Sequence, residues 1–136
     1  MSKKILRVID ANHNRCKEGL RVIEDIFRFI HQDNTLRKNT RHIRHAIDKI
    51  RLSEAINARD CHHDLGKKTD ILEIKRKNSR EILFANLQRV KESLRVLEEF
   101  FKIASPHKVS DLKSLRYKAY TLEKKIITKY PFPNDL

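Results

Sequence analysis

The chain contains the same helical pattern twice, and this repeat limits its fold more than any other feature. Residues 85–101, ANLQRVKESLRVLEEFF, repeat residues 11–27, ANHNRCKEGLRVIEDIF, at an offset of 74. Ten of the seventeen aligned positions are identical, and three more pair similar residues. A duplicated packing helix needs to keep only its apolar face, yet this repeat also keeps polar residues. The repeat therefore predicts two similar halves whose shared polar residues serve a function.

Apolar periodicity over the rest of the chain predicts an all-α protein. Only two glycines and three prolines interrupt 136 residues, so long helices can form. We predict four helices, an extended tail at 130–136, and a single domain over 1–136. The domain is a four-helix bundle-like arrangement of two duplicated helical hairpins, in which ligand sites face inward between helices. The predicted helices cover residues 4–31, 35–58, 75–103 and 109–129; the repeat covers 7–58 and 81–129, with a polar crossover at 59–74.

The composition indicates a basic protein with an anionic partner. The formal net charge is +13, and neither an apolar leader nor a membrane span is visible, which predicts a cytoplasmic protein with no membrane partner. The two cysteines make no disulfide framework, as expected in a reducing compartment. The basic residues are spread over every predicted helix and the aromatic residues follow apolar faces, which argues against nucleic acid as the partner.

A ladder of polar residues recurs in both copies of the repeat. On a helical wheel, Asn12 and Arg15 fall inside an apolar arc that includes Val8, Ala11 and Phe29. The ladder could be a buried network that fixes helix register, but a buried ion pair is costly to assemble. A pocket for an anion explains it more simply, because an arginine fork matches a phosphate and an asparagine can bind a ring edge. The two predicted ladders are Asn12, Arg15, Glu18 and Asn86, Arg89, Glu92, and a pseudo-twofold axis would bring them together.

Two further arginines follow the ladders by one helical turn. Arg21 and Arg95 lie toward the polar side, where either solvent-exposed pairing within the helix or assistance to a ligand accounts for them.

The polar segment RDCHHDLG, residues 59–66, is the second candidate site. Arg59 beside Asp60 and Asp64 could orient phosphates and hold Mg²⁺, although a capped, solvated loop has the same composition. A zinc site is a weaker alternative, because no CxxC or HxxxH spacing supports it. That alternative would use Cys61, His62, His63, His42 and His45.

Several motifs in the right order resemble one family over nearly the whole chain. They are IDANxNRxxEGLRVxED with Arg28-Phe29, then Arg41-His42, ARDxxxDxG from Ala58 to Gly66, and NxxRxxESLRVLEEFxK from Asn86 to Lys102. The chain resembles the small helical domain that is fused in front of thiamine-phosphate synthase in some bacteria. This helical domain also occurs as a separate protein. The resemblance implies a monofunctional hydroxymethylpyrimidine phosphate kinase. A (β/α)₈ synthase barrel does not fit within 136 residues, so we expect the stand-alone form.

The resemblance and the residue types together predict roles for the candidate residues. The phosphates would be bound by Arg15, Arg89 and Arg59, assisted by Arg21 and Arg95. The Mg²⁺ ion would be held by Asp60 and Asp64, or by Glu18 and Glu92. The aminopyrimidine would be bound by Asn12 and Asn86, which could instead fix the arginines. The expected cofactors are ATP and Mg²⁺, and the expected partners are the pyrimidine phosphate and ATP. A thiamine-phosphate synthase and a second copy of the chain are candidate protein partners. A non-catalytic pyrimidine-phosphate-binding protein and a basic helical nucleic-acid binder are the two alternatives.

Overall fold

The computed structural model describes residues 2–69 and 75–131, and over these residues it contains helices and no β-strand. The all-α prediction is therefore confirmed. The end of the predicted crossover, 70–74, and most of the predicted tail, 132–136, lie outside the described residues. The helices are α1 (Lys3–Asp25), a π-helical turn (Ile26–Ile30), α2 (Asn34–Asp48), a 3₁₀ helix (Ser53–Ala58), α3 (Ser79–Ala104), a 3₁₀ turn (Pro106–Lys108) and α4 (Val109–Lys129).

Each long helix packs against two others. The helix α1 contacts α2 and α3, and α4 in turn contacts α3 and α2, so the core lies between all four. Equivalent residues of the repeat occupy equivalent core positions: Leu20 and Leu94 are both fully buried, as are Phe27 and Phe101. The repeat thus places one apolar pattern on two neighbouring helices, and these helices form one side of the core.

The helices α1 and α3 run antiparallel and approach closely at Gly19. A Cβ atom at Gly19 would lie 3.0 Å from Val90 Cγ2 and 3.3 Å from the backbone oxygen of Asn86. One turn earlier in α1, Cys16 forms a side-chain hydrogen bond with Ser93, which lies further along α3. Contacts that advance on one helix while they recede on the other indicate antiparallel packing. Gly19 therefore lets the two copies of the repeat cross at short range.

The second predicted helix is wrong in its extent, because α2 ends at Asp48 rather than continuing to residue 58. Leu52 is extended, with φ −101° and ψ 116°, and a separate 3₁₀ helix follows. This break turns the chain toward α1, so that Ala55 and Ala58 are buried in the core. The chain then reaches Arg59 beside α1, which positions the polar segment described below.

The apolar face predicted for the first helix is only partly correct, since its members Gly19, Ile23 and Ile26 are buried but its last two members are not. Phe29 and Ile30 are exposed, whereas Ile9 and Cys16 are buried. Because α1 packs against α2, α3 and the 3₁₀ helix, its apolar stripe is wide, and a helical wheel does not fix how the stripe is oriented. Arg15, predicted inside the apolar arc, is exposed as a result.

Two buried glutamates occupy equivalent positions of the repeat. Only 5% of each side chain is exposed at Glu24 and Glu98. Glu24 accepts a hydrogen bond from Arg44 Nε of α2 at 2.8 Å, and Glu98 accepts one from Arg116 Nε of α4 at 2.5 Å. The duplication therefore includes a helix-to-helix ion pair within each half.

Candidate functional site

A salt bridge between Asp10 and Arg59 joins α1 to the start of the polar segment. Arg59 Nε donates to Asp10 Oδ2 at 2.6 Å, and Arg59 Nη2 donates to Asp10 Oδ1 at 2.7 Å. The Asp10 side chain is only 12% exposed, whereas that of Arg59 is 41% exposed. The hydrogen bonds to Asp10 raise the pKa of Arg59 above its ordinary value. This two-point contact fixes the guanidinium and leaves three of its five N–H groups for other partners.

One cavity on this salt bridge gathers five of the predicted site residues. It has a volume of about 350 Å³ and is called the Arg15 cavity here. Four cationic side chains and three carboxylates line it, which is a composition suited to phosphate groups together with a divalent cation. Its predicted residues are Asn12, Arg15, Arg59, Asp60 and Asp64, and its further charged residues are Lys4, Arg7 and Asp10.

A second cavity lies on the other side of the same salt bridge. This His13 cavity has a volume of about 390 Å³, and it shares Asp10 and Arg59 with the Arg15 cavity. Its other polar lining comes from His13, Asn14 and Lys17 of α1 together with residues of the 51–59 segment. The Asp10–Arg59 pair therefore stands between two adjoining spaces, each large enough for a small ligand.

The imidazole of His13 is a site feature that the sequence analysis missed. The side chain is buried, and its Nε2 lies 3.1 Å from the backbone oxygen of Ile47, a contact in which the ring N–H donates. Burial is the main cause that lowers the pKa of His13 below its ordinary value, so the neutral ring is favoured. The equivalent position in the second copy is the core residue Leu87. This difference between the two copies is the signal that could have identified His13.

The asparagines of the two ladders bind their own helices. Asn12 Nδ2 donates to the backbone oxygen of Val8 at 2.9 Å, and Asn86 Nδ2 donates to that of Ile82 at 2.8 Å. The remaining oxygen of Asn12 accepts a hydrogen bond from Arg15 Nη1 at 3.4 Å. Asn12 therefore contacts the Arg15 guanidinium at the edge of the Arg15 cavity.

The two ladders do not form facing walls of one pocket, contrary to the prediction. Measured from the level where Cys16 meets Ser93, Asn12 lies four residues away in one direction and Asn86 seven residues away in the other. At a rise of about 1.5 Å per residue, the asparagines are separated by roughly 16 Å along the helix axes. Neither cavity is lined by the second ladder, whose members Arg89 and Glu92 are exposed on α3.

Arg21 and Arg95 form matching ion pairs within their own helices. Arg21 lies 3.6 Å from Asp25, and Arg95 lies 3.2 Å from Glu99, one turn further along each helix. Each arginine also approaches the buried glutamate of its copy, at 4.0 and 3.7 Å. Neither residue lines the Arg15 or the His13 cavity.

The polar segment is a capped loop whose carboxylates remain available at the Arg15 cavity. Asp60 accepts hydrogen bonds from the backbone N–H and the imidazole Nδ1 of His63, and these bonds hold the pKa of Asp60 below its ordinary value. Asp64 accepts one from the backbone N–H of Gly66 at 2.8 Å. Two carboxylates suffice for Mg²⁺ when substrate phosphates supply further oxygens, so the residues fit that ion. Glu18 is exposed and acts on Arg59 through its charge.

The alternative zinc site is not formed. Over residues 2–69 and 75–131, no three His, Cys, Asp or Glu side chains come together in a group that could hold a metal ion. The described helices also include none that is long and apolar enough to span a membrane.

Comparison with known proteins identifies relatives over most of the chain. Residues 7–125 match the model of the ThiD2 family. The chain is 40% identical over 120 residues to thiamine-phosphate synthase of Synechocystis sp., covering 88% of the chain and 35% of that relative. It is 37% identical to the enzyme of that name from Nostoc punctiforme, covering 90% and 35%, and 33% identical to the one from Rhodopirellula baltica, covering 88% and 33%. The chain thus spans about a third of these relatives, and no solved structure matches it.

Proposed function

The chain belongs to the ThiD2 family, and we propose that it is an ATP-dependent kinase which converts hydroxymethylpyrimidine phosphate to the diphosphate. The similarity to thiamine-phosphate synthases associates the family with thiamine biosynthesis. The observation that carries the proposal is the pair of cavities on either side of the Asp10–Arg59 salt bridge. A kinase must bring two substrates together at a point where the phosphoryl group passes between them.

The chemistry of this reaction calls for cations rather than for a general base. The nucleophile is an oxygen of a phosphate monoester, whose second pKa is about 6, so it is already ionised at neutral pH. This oxygen bonds to the γ-phosphorus of ATP while the bond from that phosphorus to the β,γ-bridging oxygen breaks, and ADP leaves. The main obstacle is repulsion between two anionic phosphates, which positioned positive charge relieves.

The Arg15 cavity supplies this charge. Arg15 is oriented by Asn12, Arg59 is fixed by Asp10, and Arg7 Nη2 donates to the backbone oxygen of Asp60 at 3.3 Å. Guanidinium groups held in this way keep their geometry during the reaction, so little reorganisation opposes phosphoryl transfer. Asp60 and Asp64 would hold Mg²⁺, which supplies further neutralisation of the phosphate oxygens when bound.

The His13 cavity suits the heterocycle of the acceptor. A neutral imidazole and the Asn14 amide can hydrogen-bond to ring nitrogens and to an exocyclic amine without a charge penalty. The acceptor phosphate would then lie beside Arg59, where the two cavities meet.

The direct test is incubation of the purified chain with the pyrimidine phosphate, ATP and Mg²⁺. We expect ADP and the pyrimidine diphosphate in equal amounts, detected by chromatography and by ³¹P NMR. Arg15→Ala should reduce turnover by about 10²-fold, as removal of a group that stabilises transition-state charge does. The matched control is Arg89→Ala, because Arg89 is exposed and occupies the equivalent position of the second copy. Absence of both products, with the helices intact by circular dichroism, would overturn the proposal.

A non-catalytic partner of thiamine-phosphate synthase is the second candidate. It is favoured by the occurrence of a similar segment within the much longer synthases. This alternative predicts that the pyrimidine phosphate binds without consumption of ATP, which calorimetry combined with the ADP assay distinguishes.

A further inference from the structure

A third cavity lies between the end of α1 and the first turns of α2. It has a volume of about 510 Å³ and shares no residue with the Arg15 or His13 cavity. The proposed kinase site leaves it unused, although the Arg28-Phe29 and Arg41-His42 motifs both contribute to this region. Its lining, called the arginine cluster here, consists of Arg21, Arg28, Arg37, Arg41, Arg44 and the buried Glu24.

The charges of the arginine cluster are not balanced. Arg44 pairs with Glu24 at 2.8 Å, and Arg21 pairs with Asp25 at 3.6 Å. The other three arginines form no ion pair with any carboxylate of the described residues: Arg37 donates to Asn34, Arg28 lies over the Phe29 ring, and Arg41 is exposed. Like charges that line one cavity repel each other, and the repulsion grows as water is displaced. A bound anion would relieve this repulsion.

The second copy of the repeat shows that the scaffold does not require such an imbalance. Lys102 stands at the position equivalent to Arg28, and it pairs with Glu99 at 3.0 Å. Arg116 donates two hydrogen bonds to Glu98, at 2.5 and 3.2 Å. In that copy, Lys102 and Arg116 are thus each paired with a carboxylate of the chain itself.

The backbone also differs between the copies at this point. The first helix changes to a π-helical turn at Ile26–Ile30, whereas α3 stays α-helical through Ala104. Single π-helical turns widen a helix locally and are frequent at functional sites. Here the turn carries Arg28, which lines the cavity together with three arginines of α2.

We propose that the arginine cluster binds an anion with two or more phosphoryl groups, at a site separate from the Asp10–Arg59 cavities. Guanidinium groups bind phosphate oxygens through paired, charge-assisted hydrogen bonds. Several guanidinium groups around one cavity can therefore bind an anion that has several phosphate oxygens. Inorganic diphosphate is the simplest probe of this class. The inference is independent of the kinase proposal, since it rests on residues that the kinase site does not use.

Calorimetric titration of the full chain with inorganic diphosphate tests the site. The double variant Arg28→Gln/Arg41→Gln should weaken diphosphate binding by roughly 100-fold, about tenfold for each charge-assisted contact. Inorganic monophosphate should bind at least tenfold more weakly than diphosphate to the unmodified chain. Both arginines are exposed, so the thermal midpoint should change little and the helices should remain intact.

The matched control is Lys102→Gln/Lys113→Gln, which removes the same net charge from exposed positions of the second copy. Lys113 corresponds to Arg41, because it lies three residues before Arg116 as Arg41 lies three residues before Arg44. It should leave diphosphate affinity within about twofold of the unmodified chain, because long-range charge alone contributes little at physiological salt. Equal weakening in both double variants would refute a specific site. The proposal would also be refuted if Arg59→Gln abolished diphosphate binding while Arg28→Gln/Arg41→Gln retained it, because diphosphate would then bind at the Asp10–Arg59 cavities.

Discussion

Replacement of Arg59 by lysine separates the geometry of its guanidinium from its charge. Arg59 uses Nε and Nη2 on Asp10, so three N–H groups remain for a phosphate. A lysine keeps the positive charge but cannot hold Asp10 at two points while it binds a second anion. We therefore expect kcat/KM for the pyrimidine phosphate to fall by about 10²-fold, which corresponds to about 2.7 kcal/mol of transition-state stabilisation.

The same substitution should have little effect on stability. The Arg59 side chain is 41% exposed, and an ion pair with that much solvent contact contributes no more than about 1 kcal/mol. Arg116→Lys is the matched control, since Arg116 also holds a carboxylate at two points but lines none of the three cavities described above. This control should lower the free energy of unfolding in urea and leave turnover within about threefold. A turnover in Arg59→Lys that equals that of Arg116→Lys would refute the role of Arg59.

Three further predictions concern stability. Gly19→Ala gains helix propensity of about 1 kcal/mol but places a Cβ atom 3.3 Å from a backbone oxygen of α3, so a net loss of about 1 kcal/mol is expected in thermal unfolding. Arg116→Ala removes two hydrogen bonds from the buried Glu98 and leaves it only the partly exposed Arg95 at 3.7 Å, so it should cost about 3 kcal/mol in urea titrations. Arg44→Ala should cost less, because Glu24 keeps Arg21 at 4.0 Å and three further arginines in its cavity; equal losses would contradict this. Burial raises the pKa of Asp33, but hydrogen bonds, foremost that from Lys129, lower it further, so the net pKa lies below its ordinary value. The free energy of unfolding should therefore fall as the pH drops below about 4, because the folded state loses these bonds when Asp33 is protonated. Asp33→Asn should make this decline less steep.

The sequence predicts well those features that depend on local pattern. The bounds of α4 agree with the prediction at both ends, whereas α3 begins at Ser79, four residues later than predicted, because Asn78 caps it by accepting a hydrogen bond from the Glu81 N–H. These features follow from caps, breakers and periodicity, which act over a few residues.

Features that depend on how helices meet were not predictable in the same way. The repeat indicates that two helices are equivalent, but not where their symmetry axis crosses them, so the ladders were expected to face each other. The orientation of α1 depends on three neighbours at once, and burial of Glu24 depends on Arg44, a partner twenty residues away. A position-by-position comparison of the two copies would have identified His13, because the equivalent residue of the second copy is the apolar Leu87.

The two cysteines have opposite environments, and this contrast allows occupancy of the Arg15 cavity to be measured spectroscopically. Burial raises the pKa of the Cys16 thiol to about 12, so at neutral pH this group stays protonated and enclosed within the core. Cys61 is exposed and lines the Arg15 cavity beside Asp60. A thiol-reactive fluorophore should therefore label the folded chain at a single position, next to the proposed phosphates, without any engineered cysteine. Protection of that thiol by a bound substrate would report occupancy of the cavity directly, even in a variant that no longer turns over.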